Sequence, residues 1–254
     1  METVYIRKLA IGAGRPKICV PICGSRRAEI LTEAERVQRL PADLIEWRID
    51  WYDDVFDKTC LKEMLEALRE KLGDRPLLVT FRSIQEGGEK PVRPEQYLEI
   101  GRTVCESGKA DALDVELFMD GKVTKEIIDM AHDRGMTVVG SNHDFIKTPE
   151  KDEMTRRLIL MDEMGADILK IAVMPKEKAD VLELLTATEE MGRLYTEKPV
   201  VTMSMGAMGL ISRLAGETFG SAITFGAGTK ASAPGQMPAE QLKKVLDAIH
   251  ESMA

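Results

Sequence analysis

A chain of 254 residues, 44% hydrophobic and 31% charged, has an ordinary globular composition and enough length for one large core. Its formal net charge of −8 argues against nucleic acid or an anionic membrane as the main partner, while leaving room for a local basic pocket that takes a small acidic molecule. There is no early apolar stretch of signal-peptide type, no segment long enough to span a membrane, and no CxxC pair among Cys19, Cys23, Cys60 and Cys105, so the expectation is a soluble cytoplasmic protein with reduced thiols and no zinc site.

The first residues, Tyr5 to Gly12, read as a short strand or hairpin arm. Eight short apolar runs rich in β-branched residues follow: Lys17–Gly24, Leu44–Asp50, Leu77–Arg82, Ala112–Phe118, Thr137–His143, Ile168–Val173, Val200–Met205 and Ala222–Gly226. After each comes helical periodicity, as in Leu61-Met64-Leu65-Leu68-Leu72, Ile127-Ile128-Ala131 and Leu242-Val245-Leu246-Ile249. Gly73, Gly135 and Gly165 stand where helices should end. Strands alternating with helices pair in parallel through right-handed crossovers, and eight such units suit a closed (β/α)₈ TIM barrel. Residues 1–254 are expected to form a single barrel domain, with the N-terminal hairpin arm capping its bottom.

Alternate side chains of a barrel strand face the interior. That parity groups Glu46, Arg48 and Asp50 in the second strand, Thr80 and Arg82 in the third, and Asp114 and Glu116 in the fourth. It likewise groups Ser141 with His143, Lys170 with Ile168 and Ala172, and Met203 with Met205. Five neighbouring strands thus turn ionisable groups inward, many of them in the C-terminal half of the strand, where barrel active sites form. Buried charges are costly unless paired or working. Asp50, Asp114 and Glu116 are balanced between ion pairs that fix strand register and a direct catalytic part.

Lys170 lies in Ile168-Leu-Lys-Ile-Ala-Val173. Burial there favours the neutral amine, as would Arg48 or Arg82 nearby, whereas Glu46 and Glu116 would act the other way. A neutral amine attacks carbonyls and forms Schiff bases; the bland alternative is a lysine paired with Glu116. His143 closes a strand and suits proton transfer in both directions, while His132 and His250 are expected to be solvated helix residues. Arg82 and Arg213 have the forked geometry that grips carboxylates or phosphates. The loop Phe225 to Gln236, with Gly226, Gly228 and Gly235, suits either a phosphate site or a mobile lid. Met203 and Met205 are of a type more often found in cores, although their position lets them line a pocket.

Taken in order, Glu46-Trp-Arg48, Thr80-Phe-Arg82-Ser, Glu86-Gly-Gly, Ser141-Asn-His143-Asp-Phe, Lys170-Ile-Ala-Val-Met-Pro175, Met203-Ser-Met205, Ile211-Ser-Arg213-Leu-Ala-Gly and Ala231-Ser-Ala-Pro-Gly-Gln236 resemble type I 3-dehydroquinate dehydratase, the Schiff-base class, along almost the whole chain. The resemblance implies a lyase of the shikimate pathway that converts 3-dehydroquinate to 3-dehydroshikimate by syn elimination. Lys170 would form the imine, His143 would move the protons and Glu86 would orient His143. Arg213 would hold the substrate carboxylate. Glu46, Arg48 and Arg82 would meet the ring hydroxyls, Ser232 and Gln236 would close over the ring, and Met203 and Met205 would line the pocket. No metal or organic cofactor is implied, and a homodimer is. Pro21 departs from the pattern, standing where relatives often carry a serine able to touch substrate, so that contact is absent or supplied otherwise.

Three rival readings use the same residues. A class I aldolase or transaldolase-like barrel would also use Lys170, with phosphate at the glycines of the last loop. A metal-dependent isomerase would use Glu46, Asp50, Asp114 and His143. A non-catalytic barrel would bind its ligand without turnover.

Overall fold

The computed structural model describes residues 2–253. A two-stranded antiparallel hairpin comes first, β1 (Val4–Ile6) and β2 (Leu9–Ile11). The remaining strands are β3 (Lys17–Ile22), β4 (Leu44–Arg48), β5 (Leu77–Thr80), β6 (Ala112–Glu116), β7 (Thr137–Asp144), β8 (Ile168–Val173), β9 (Val200–Ser204) and β10 (Ile223–Phe225). They form one parallel sheet in the order β10-β3-β4-β5-β6-β7-β8-β9. Between β9 and β10 the seam is made by a single bridge, Val200 to Ser221, and by the Ser221 hydroxyl, which accepts from the Thr202 N–H at 3.0 Å. The result is a nearly closed (β/α)₈ barrel, as the eightfold alternation predicts.

Helices clothe the outside: α1 (Arg27–Val37), α2 (Lys58–Leu72), α3 (Pro94–Ser107), α4 (Gly121–His132), α5 (Lys151–Glu163), α6 (Lys178–Glu190), the short α7 (Leu210–Leu214) and α8 (Gly216–Phe219), and α9 (Ala239–Met253). Their local sequence explains them. In α2 the Asp57 carboxylate caps the first turn by accepting from the N–H groups of Thr59 and Cys60, and Leu61, Met64, Leu65, Leu68 and Leu72 form the buried stripe. Gly73 then takes φ +58°, a backbone state open to glycine at little cost. Gly135 and Gly165 end their turns in the same way.

Two apolar clusters divide the core. The larger lies between strands and helices and includes Ile45, Trp47, Val79, Leu113, Leu169 and Ile171. The smaller fills the lower barrel interior with Cys19, Leu44, Leu78, Ala112, Val139, Ile168 and Val201. Ile6 and Ile11 of the hairpin belong to this inner cluster, and the Thr137 hydroxyl donates to the Tyr5 carbonyl at 3.2 Å, so the hairpin does plug the bottom. Moving up each strand by two residues replaces the apolar layer with Glu46, Thr80, Asp114, Ser141 and Lys170. The inward parity read from the sequence is therefore the observed one.

Several strands stop sooner than the apolar runs suggest. Residues Ile49–Trp51 form a single 3-10 turn, and Arg82, Phe118 and Met205 lie beyond their strands. At this upper rim side chains replace the strand ladder. The Asp50 carboxylate accepts from the Arg82 N–H at 3.3 Å, and the Glu116 carboxylate accepts from the Ser83 N–H at 2.8 Å. No helix among the described residues is long and apolar enough to cross a membrane.

Candidate active site

The polar rim encloses a pocket with about 440 Å³ of unfilled space, counting the solvent at its open mouth. Glu46, Arg48, Arg82, Glu86, His143, Lys170, Met203, Met205, Ser232 and Gln236 all line it. Arg213 does not. It stands behind the wall, where its guanidinium donates to the Pro234 carbonyl at 3.0 Å and approaches the Met203 sulfur at 3.6 Å. Pro21, in β3 beside Glu46, is likewise off the lining, so it offers the cavity no substitute for a serine hydroxyl.

Lys170 is buried in the cavity wall, 4% exposed. Its Nζ donates to Asp114 Oδ2 at 3.0 Å and lies 4.7 Å from the centre of the Phe225 ring. The partner is thus Asp114 and not Glu116, correcting the pairing suggested by sequence. Glu116 instead accepts from Arg82 at 2.9 Å and from the Ser83 backbone. Arg82 is the hub of the rim: Nη2 donates to Asp114 at 2.7 Å, while Nη1 faces Glu116, Glu86 at 3.3 Å and the Ser141 hydroxyl at 3.0 Å. Burial raises the Asp114 carboxyl, yet Arg82 and Lys170 outweigh it and bring it down to about 2. The Arg82 charge is opposed by burial and held firmly in place by Asp114, Glu116 and Glu86.

Arg48 is clamped in a two-point pair with Asp50, at 2.8 and 2.7 Å. The same Asp50 carboxylate reaches the Glu89 N–H at 3.2 Å, tying down the Glu86-Gly87-Gly88 turn. A Cβ on Gly88 would fall 1.9 Å from the Arg82 carbonyl oxygen, so only glycine allows this approach. Asp50 is accordingly a scaffold residue. The metal-isomerase set is dispersed: Asp50 serves Arg48, Asp114 serves Arg82 and Lys170, and among the described residues no three His, Cys, Asp or Glu side chains converge as metal ligands.

His143 and Glu86 form the second unit. Glu86 Oε2 contacts both the backbone N–H and Nδ1 of His143 at 2.9 Å, leaving imidazole Nε2 without a partner among the described residues. Burial and the neighbouring Glu116 raise the Glu86 carboxyl to about 8, although Arg82 and the Asn142 amide work against this. Burial, Arg82, Lys170 and Arg48 push the His143 imidazole well below its ordinary range. His132 and His250 lie on the outside, facing Asp167 and Glu217, as expected for solvated helix residues.

Arg213 differs from Arg48 and Arg82. It is buried, it has no carboxylate partner among the described residues, and its Nε makes no hydrogen bond. Burial without a counter-charge lowers it to about 10. Such a guanidinium has the donors and the uncompensated charge that an anion could satisfy. Above it the loop after β10 is folded on itself, with Gln236 donating to the Ser232 hydroxyl at 3.0 Å and accepting from the Ser232 N–H at 2.8 Å. Phe225 reads in the sequence only as a strand-end residue, because its contact with the lysine joins β10 to β8, two strands that are not paired in the sheet.

The type I 3-dehydroquinase family model matches residues 18–253. The chain belongs to the type I 3-dehydroquinase family. It is 48% identical over 250 residues to the 3-dehydroquinate dehydratase of Clostridioides difficile, covering 98% of each chain. A crystal structure of the type I 3-dehydroquinate dehydratase of Clostridium difficile, with covalent modified comenic acid, matches with TM-score 0.96 and 47% identity over 99% of each chain. The 3-dehydroquinate dehydratase of Geobacillus kaustophilus matches with TM-score 0.96 and 37% identity, over 100% of this chain and 98% of that one. This type I 3-dehydroquinase is therefore a lyase that dehydrates 3-dehydroquinate in the shikimate pathway of aromatic amino-acid biosynthesis.

Proposed function

We propose that dehydration proceeds through an imine between Lys170 and the 3-ketone of 3-dehydroquinate, giving 3-dehydroshikimate by syn elimination. The observation that carries this reading is the lone lysine amine on the cavity wall, held by Asp114 and shielded by Phe225. The amine adds to the ketone, and the hydroxyl so formed takes a proton from His143 and leaves as water, forming the cationic imine. His143 takes the C2 proton, and the electron pair moves into the imine to give an enamine. The C1 hydroxyl, protonated by His143, departs as water, and a second water hydrolyses the imine to free the product and Lys170. Net loss is one water. Nε2 of His143 serves these proton transfers, because Glu86 occupies Nδ1. The covalent modification named for the Clostridium difficile structure fits a site that bonds its ligands.

Arg213 binds the substrate carboxylate in this scheme, which requires the Pro234 carbonyl to yield its place as Ser232 and Gln236 close over the ring. Glu46 meets the ring hydroxyls, as do the edges of Arg48 and Arg82 that face the cavity, while Met203 and Met205 pack against the carbon skeleton. The family resemblance also supports a cytoplasmic homodimer. Borohydride treatment in the presence of 3-dehydroquinate is expected to leave a covalent adduct on Lys170, read by intact mass and peptide mapping. No adduct, or one on another residue, would overturn the imine.

The Glu86–His143 pair sets a pH dependence. The base form has ionised Glu86 and neutral His143, so kcat/KM is expected to rise as Glu86 loses its proton, around pH 8 where burial places it. Glu86→Gln removes that proton site and leaves His143 alone among Arg82, Lys170 and Arg48, which keep it neutral to low pH. Its rising limb should therefore move to lower pH, on a plateau reduced by roughly 10²-fold or more. A limb that stays put would show that another group controls activity.

A further inference from the structure

We propose that Arg157 is a positioning residue for the catalytic pair, acting through the side-chain amide of Asn142. This deepens the roles assigned above to Glu86 and His143 and rests on them. Arg157 lies on the outer helix α5, away from the cavity that holds Lys170. Its Nη1 donates to Asn142 Oδ1 at 2.9 Å, and Asn142 Nδ2 donates to Glu86 Oε1 at 2.9 Å. The other carboxylate oxygen, Oε2, is the one bonded to His143. A continuous chain of hydrogen bonds thus runs from the helix layer to the imidazole.

The chemistry of the donor gives the chain a direction. Arginine has no acceptor, so Asn142 must turn its oxygen outward and its NH₂ inward. That orientation supplies Glu86 with a donor, which stabilises the carboxylate and opposes the rise caused by burial. A flipped amide would set oxygen against oxygen and favour protonated Glu86. The guanidinium is itself immobilised. Glu153 holds Nε at 2.7 Å, Asp144 lies 4.0 Å from Nη1, and the Phe118 ring lies 5.6 Å below. A second cavity, with about 1,050 Å³ of unfilled space, is lined by Arg157, Phe118, Asn142, Glu86 and His143, so the catalytic pair is a partition between two spaces. The charges that surround it are Arg82, Asp114 and Glu116 on the inner face, Lys170 and Arg48 across the cavity, and Arg157, Glu153 and Asp144 outside. Of these only Arg157 reaches Glu86 through an amide whose orientation it determines.

The test is the pH profile of kcat and kcat/KM in Arg157→Met, Arg157→Lys and Asn142→Asp, with the wild type carrying the Lys170 borohydride adduct as the separate check on the imine. Arg157→Met should lower kcat about tenfold with KM within about twofold of wild type, and move the rising limb of kcat/KM to higher pH. Arg157→Lys, which keeps a cationic donor, should recover most of kcat and return the limb. The isosteric Asn142→Asp, which takes the donor from Glu86, should move the limb up as well and covers the case in which Arg157→Met does not fold. If the wild type forms the adduct yet both variants leave the limb unmoved, or if lysine rescues no better than methionine, the positioning role is wrong. If the wild type forms no adduct, the imine reading is what fails.

Discussion

Lys170→Met is expected to reduce kcat by about 10⁴-fold or more while leaving stability within about 1–2 kcal/mol of wild type. The activity loss follows from removing the one lysine amine that lines the cavity among the described residues, the proposed nucleophile. The stability expectation follows from what remains. Asp114 keeps its 2.7 Å bond from Arg82 and its 2.6 Å bond from the Ser141 hydroxyl, so no charge is orphaned. The methionine places an apolar chain against Phe225 and Ala172, where an ammonium was held. Turnover measured beside urea unfolding checks both halves. Activity within tenfold of wild type would remove Lys170 from the chemistry. A stability loss above about 3 kcal/mol would mean that the lysine, too, is part of the scaffold.

The contrasting case is Arg82→Met, expected to destabilise the fold by about 3–5 kcal/mol. Arg82 and Lys170 are both buried and both touch Asp114, but only Arg82 also serves Glu116, Glu86 and Ser141. Without it Glu116 and Glu86 lose their arginine partner, and of its cationic partners Asp114 keeps only Lys170. The change should be seen as a lowered urea midpoint. An effect no larger than that of Lys170→Met would show that the rim tolerates loss of its hub. Acid sensitivity should change in step. The Asp114 carboxyl is held near 2, below its ordinary value of about 3.9, so its contribution to stability is complete above about pH 4 and is lost as pH falls towards 2. Removing Arg82 takes away the largest of the opposing charges, so this acid-labile contribution should shrink and the fall in stability between about pH 4 and 2 should be shallower.

The contrast also shows what a one-dimensional reading can reach. Period-two parity places Glu46, Arg48, Arg82, His143 and Lys170 inside the barrel, because alternation along a strand is a local property. Which inward group meets which depends on the stagger of one strand against the next. Glu116, Ser141 and Lys170 pair straight across their strands, yet the lysine amine meets Asp114, two residues lower on β6, while Glu116 turns up to Arg82 and Ser83. Chemical type alone does not separate these two carboxylates. Strand ends are overread for a related reason: the runs stay apolar to the rim, but there Asp50 and Glu116 supply the acceptors in place of a neighbouring strand. Arg213 stands out in the sequence as a forked donor for an anion, but its want of a carboxylate partner among the described residues is visible only in three dimensions. The bonds that join Asn142 to Arg157 and to Glu86 link α5, β7 and the turn after β5, with no repeating pattern to announce them.

The hairpin that plugs the barrel has a consequence for the order of assembly. Its strands are made before those of the barrel, yet the Tyr5 carbonyl is met by Thr137, 132 residues later, and Arg7 by Asp111, 104 residues later. During synthesis Ile6 and Ile11 wait in water until β6 and β7 exist, and the barrel can close only when β10 comes to lie beside β3. Contacts so distant along the chain are slow to form, because the entropy of a long loop is lost before its contacts are gained. Docking of the hairpin and closure of the seam therefore belong to the last stages of folding, and an unfinished chain keeps an apolar floor open to its neighbours until both have happened.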